Sequence, residues 1–135
     1  MSNRGWIGVD LDGTLAEYNG WVDESHIGPP VPRMLQCVKG WLAMGLEVRI
    51  FTARVFPIYE VIHTPDDVHL TNALRPTDPP NRYLSAGKAA LAIQNWCVEH
   101  LGAVLPITCV KDYAMVELYD DRAVRVTPNT GEWTK

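Results

Sequence analysis

The 135-residue chain is 47% hydrophobic and 21% charged, with a formal net charge of −4. That length suits one domain, 1–135, able to bury an ordinary core without staples, and the balance is that of a soluble globular protein. The acidic total argues against non-specific nucleic-acid binding, and no apolar run reaches the ~18 residues that a membrane span requires.

The N-terminal Met1–Gly5 leads straight into a strand-like segment, so no signal peptide is expected and the expected location is cytoplasmic. Cys37, Cys97 and Cys109 are odd in number and set among apolar residues, which reads as reduced thiols. Trp6–Asp10, short and rich in strand formers, predicts the first strand. Leu15–Ile27 reads as a small hairpin or flap. Pro29, Pro30 and Pro32 then introduce a helix with Leu35, Val38 and Leu42 at helical spacing, widened by Met34 and Trp41, and Gly45 is its expected stop. Glu47–Phe51 predicts the second strand.

Residues 55–84 hold Pro57, Pro65, Pro76, Pro79 and Pro80 and read as a mostly irregular insertion, with a short helix start at Thr64–Asp67. Ser85 is the expected cap of a second long helix, with Ala90, Ile93, Cys97 and Leu101 on one face and Gly102 as its stop. Ile107–Val110, Met115–Tyr119 and Ala123–Val126 follow as strand-like runs, and Pro128–Gly131 as a turn. Strands alternating with helices predict an α/β fold with a parallel sheet, whose ligand site lies at the carboxyl ends of the strands.

Those strand ends carry one chemistry. The first ends in Asp10 and Asp12, the second in Thr52 with Arg54 just beyond, the third reaches Lys111, and Met115–Tyr119 runs into Asp120 and Asp121. Two carboxylates, a hydroxyl, an ammonium and an acidic cation site are the parts needed for phosphoryl transfer. Asp10 is the expected nucleophile, and Asp12 the acid that protonates the leaving oxygen and then the base that activates water. Residues two apart on an extended chain share a face, so the spacing suits both roles. Gly13 lets the backbone approach a phosphate or metal closely.

Asp10–Leu15, "DLDGTL", resembles the first motif of the haloacid dehalogenase-like (HAD) superfamily in its phosphatase branch. "VRIFTAR" (Val48–Arg54) is similar to the second motif, Lys111 in "VKD" to the third, and "ELYDDRAV" (Glu117–Val124) to the fourth, in family order. The resemblance implies a Rossmann-like three-layer α/β/α fold with a central parallel sheet, capless or minimally capped, since only short insertions follow the first two motifs. It also implies Mg²⁺, held by Asp10, the Asp12 backbone carbonyl and the acids Asp120 and Asp121. Alternation along a strand favours Asp120 as the direct ligand and Asp121 as water-mediated or orienting. Thr52, Lys111, Gly13 and Ala53 are the expected phosphate-binding positions, with Lys88 a rival to Lys111.

Arg54, Arg75 and Arg82 read as possible grips on phosphate or sugar, with solvated surface the blander reading for the last two. Trp21 reads equally as a substrate cover or an ordinary tryptophan. His63 and His69 lack a cysteine pattern for zinc, and His100 suits a helix C-terminus. The expected activity is hydrolysis of a small phosphomonoester, such as a nucleotide or sugar phosphate, with no membrane partner; the sequence does not fix the oligomeric state. A phosphatase acting on nucleic-acid ends and a non-catalytic binding module are the alternatives. The order of the motifs argues against a response-regulator receiver.

Overall fold

The computed structural model describes residues 5–63, 68–72 and 82–134. Strands β1 (Trp6–Asp10) and β2 (Glu47–Phe51) pair in parallel, with Ile7 opposite Val48 and Val9 opposite Ile50. Alternation therefore sets these four apolar side chains on one face of the sheet. Ile107 of β5 (Ile107–Thr108) extends the row, because it lies opposite Ile50. On the other side of β1, β6 (Met115–Tyr119) pairs in parallel and places Tyr119 opposite Val9.

Helix α1 (Pro32–Ala43) begins where the sequence announces it, with Pro32 in its first turn, where a missing N–H costs nothing. Its Val38 is fully buried, and Met34, Leu35, Trp41 and Leu42 pack on the same core. Gly45, at φ +79°, lets the chain turn out of the helix towards β2. Helix α2 (Arg82–Leu101) adds Ala86, Ala89, Ala90, Ile93, Trp96 and Cys97 to that core, a 3.6-residue stripe. Each fully buried aliphatic side chain stabilises the fold by about 1.5–3 kcal/mol. On the opposite face of β1, Trp6 is buried beneath the Arg49 guanidinium, 4.6 Å from its ring, and donates its indole N–H to Asp112 at 2.8 Å.

The six-stranded sheet runs β4-β3-β5-β2-β1-β6 and stays open. This is the expected α/β architecture, Rossmann-like and capless, with a central parallel sheet. A separate hairpin, β7 (Arg125–Val126) with β8 (Trp133–Thr134), closes the described chain and is exposed.

Two expectations are corrected. Within 55–84 the described segments β3 (Ile58–His63) and β4 (Val68–Asn72) are strands where an irregular insertion was expected, and they pair antiparallel to extend the sheet beyond β5. Helix α2 also starts three residues before Ser85, which therefore lies inside the helix and does not cap it. The expected helix start at Thr64–Asp67, and Arg75, lie outside the described residues.

Burial separates the cysteines. Cys97 is fully buried, and its thiol is pushed up to about 12 by desolvation, whereas Cys37 is exposed on α1. A thiol reagent at pH 8 is expected to modify Cys37 in the native protein and Cys97 only after unfolding. Peptide mapping after timed labelling, with and without guanidinium, checks this.

Candidate active site

Strand register builds the site. Val9 lies opposite Tyr119, so one further step along each strand brings Asp120 beside Asp10. Asp10 lies opposite Phe51, so Thr52 emerges next to Leu11 at the same sheet edge. Between Asp10 and α1 the chain folds into a tight turn, with Gly13 N–H donating to Ala16 O at 2.8 Å and Leu15 N–H to Leu11 O at 3.0 Å. Leu11 and Leu15 anchor that turn in the core, both fully buried.

Oxygen atoms of Asp10, Asp120 and Asp121 lie within 4.8 Å of one another. Thr14 Oγ1 ties the group together: its one proton has Asp10 Oδ2 at 3.3 Å and Asp121 Oδ1 at 3.2 Å as alternative acceptors, and it accepts the Asp121 N–H at 3.0 Å. Asp121 hydrogen-bonds Asp10 and lines the adjoining cavity, while the Asp120 carboxylate accepts the Arg122 N–H at 2.9 Å. Gly13, at φ +89°, packs on the Asp121 carboxylate so closely that a Cβ there would sit 2.6 Å from Oδ2. Gly13→Ala is therefore expected to displace Asp121 and weaken divalent-cation binding about 10- to 100-fold, read by calorimetric titration.

Crowded negative charge has a measurable consequence. The Asp10 carboxyl is pushed up to about 7, first by burial, then by its hydrogen bond to Asp121 and by the charges of Asp120 and Asp121. A cluster that holds a proton near neutrality is one in which a cation can replace that proton. Three carboxylates with no softer donor suit a hard divalent ion.

The Asp12 carboxylate is not in that cluster but is held in an ion pair. Arg54 Nε donates to its Oδ2 at 2.7 Å and Nη2 to its Oδ1 at 3.0 Å, a bidentate clamp with the Arg54 side chain only 5% exposed. Arg54 Nη1 reaches the carbonyls of Asp23 and Glu24 at 3.3 and 3.2 Å, and Trp21 lies over the guanidinium at 5.0 Å. The flap is thus fastened to Asp12 through one arginine. The chain aims Arg54 there by turning sharply after β2: Thr52 Oγ1 accepts the Arg54 N–H at 3.1 Å and opens a short 3-10 turn over Ala53–Val55.

A cavity of about 390 Å³ opens over these groups, with Asp10, Asp12, Thr52, Ala53 and Asp121 in its wall. Tyr18 and Trp21 of the flap, Arg82 and Ser85 of α2, and Arg122 line the rest. Arg82 Nη2 donates to Ala53 O at 3.3 Å. Lys111 is exposed and does not line the cavity; it lies three residues beyond β5, which β2 separates from β1. Lys88 faces a different groove with Ser25 and Trp96. Arg122 and Tyr18 are not among the site residues expected from the sequence, and Ser85 was expected only as a helix cap. Arg122 directly follows the two aspartates, a signal that was available.

The result is an acidic cluster at the carboxyl edge of a capless parallel sheet, an arrangement consistent with a HAD-like fold and able in general terms to support phosphoryl transfer. Comparison with protein-family models, curated proteins and solved structures finds no match. Among the described residues no helix is long and apolar enough to cross a membrane.

Proposed function

We propose that the chain is a Mg²⁺-dependent phosphatase of the HAD-like type, acting on a small phosphomonoester in the cytoplasm. The observation that carries this reading is the meeting of Asp10, Asp120 and Asp121 within 4.8 Å. Beside them, one cavity is lined by Thr52, Arg54, Arg82 and Arg122. Asp10, Asp120, Asp121 and the Asp12 carbonyl would hold the Mg²⁺ ion, which when bound offsets charge on the phosphoryl oxygens.

In the proposed reaction an Asp10 oxygen bonds to phosphorus as the ester P–O bond breaks, and Asp12 gives a proton to the departing oxygen. Water then attacks phosphorus, its proton passes to Asp12, and Asp10 leaves with inorganic phosphate as the other product. Thr52, Gly13 and Ala53 are proposed to contact the phosphate. The guanidiniums that line the cavity, rather than Lys111 beyond it, supply the positive charge opposite the transferred group.

Phosphate release from a panel of phosphomonoesters, with Mg²⁺ or with EDTA, tests the proposal. Turnover that requires Mg²⁺ and disappears in Asp10→Asn supports it. Metal-independent turnover, or none with any ester, removes it.

A further inference from the structure

Two aromatic side chains stand exposed at the mouth of the cavity, Tyr18 at 45% and Trp21 at 56%. Other large apolar side chains are as exposed, but of the exposed aromatic side chains these two line the cavity, so they are placed to meet whatever it holds. Trp21 is not a loose surface residue. Its ring lies against the Arg54 guanidinium, which also grips both oxygens of Asp12 and the Asp23 and Glu24 carbonyls of the same flap. A single buried side chain therefore sets the ring relative to the carboxylate expected to protonate the leaving group.

The cavity is larger than a phosphate ion needs and lies within the range that encloses ligands of nucleotide size. Whatever the phosphate is attached to must share it with these two rings. A flat π-system gains more from stacking on them than a sugar ring, which offers only C–H groups.

Resting on the phosphatase reading, we propose that Tyr18 and Trp21 form a stacking face selecting a phosphomonoester with a flat aromatic group, in class a nucleoside monophosphate, over a bare sugar phosphate. Stacking of a base on an aromatic side chain corresponds to about 5- to 150-fold in affinity.

The test is calorimetric titration of Asp10→Asn, in Mg²⁺, with adenosine 5′-monophosphate and with ribose 5-phosphate. The nucleotide is expected to bind 5- to 150-fold more tightly. Adding Trp21→Ala should erase most of that gap, while Trp21→Phe, which keeps a ring, should preserve it. Equal affinities, a gap that survives Trp21→Ala, or binding of neither compound overturns the proposal. Its failure is distinguishable from failure of the phosphatase reading. In the former case wild-type protein releases phosphate but the variant shows no affinity gap; in the latter the gap is present and no phosphate is released.

Discussion

Asp10→Asn is expected to abolish Mg²⁺-dependent phosphate release, by about 10⁴-fold or more, while making the metal-free protein more stable at pH 8. Both effects come from the same crowding. The folded-state carboxyl titrates at about 7 against an ordinary value of 3.8, so the native state holds this proton more tightly than the unfolded chain does. Between those two values stability must fall as pH rises, and above pH 7 the full cost of the ionised cluster is present. Water still reaches the group, so the cost is on the order of 2 kcal/mol, several degrees in melting temperature. Asparagine removes the charge and flattens that dependence.

Mg²⁺ should act in the opposite sense on the wild type, raising the melting temperature most at pH 8. Its affinity should fall about tenfold per unit as pH drops below 7, because a proton must leave Asp10. Thermal scans from pH 5 to 8, with EDTA or Mg²⁺, check all three statements. A wild-type melting temperature that rises through this range in EDTA contradicts the assignment of repulsion to the cluster.

Arg54→Met is expected to destabilise the protein by about 3 kcal/mol and lower kcat about 100-fold. The stability figure is at the low end for breaking a buried pair, since the Asp12 side chain keeps 20% of its surface exposed. The catalytic figure is what misplacing the proposed proton donor, Asp12, by about 1 Å costs. Arg54→Lys should not restore either quantity, because an ammonium cannot span both Asp12 oxygens and the flap carbonyls together. Limited proteolysis supplies an independent readout, with new cleavage in 17–28 expected once the carbonyls of Asp23 and Glu24 lose their donor. In the native clamp each Asp12 oxygen accepts one hydrogen bond from Arg54.

The strands and the first helix were legible because their apolar residues recur with clean periods. β1, β2 and β6 fall on the segments expected from Trp6–Asp10, Glu47–Phe51 and Met115–Tyr119. The β3–β4 hairpin was not, because five prolines in 55–84 signal breaks in regular structure and do not show that two strands fit between them. Pro57, Pro65 and Pro76 bracket Ile58–His63 and Val68–Asn72 without interrupting either. Ser85 misled because a hydroxyl suited to capping is equally at home inside a helix. The acidic cluster was readable from order along the chain, since parallel strands bring their carboxyl ends to one edge. The Arg54–Asp12 clamp was not, because nothing local tells an arginine which carboxylate 42 positions away it will meet.

Among the described residues β6 is an edge strand paired with β1 alone, and Thr14 meets Asp121 across 107 positions of chain. Closing so long a loop is entropically slow, so β6 is expected to dock late in folding and to fray first. A molecule with a detached β6 would keep the core built from β1, β2, β5 and both helices, yet would have lost two of its three clustered carboxylates. Cation binding should therefore report on completion of the sheet, and a ligand held between the ends of β1 and β6 would slow hydrogen exchange at β6 more than at any other strand.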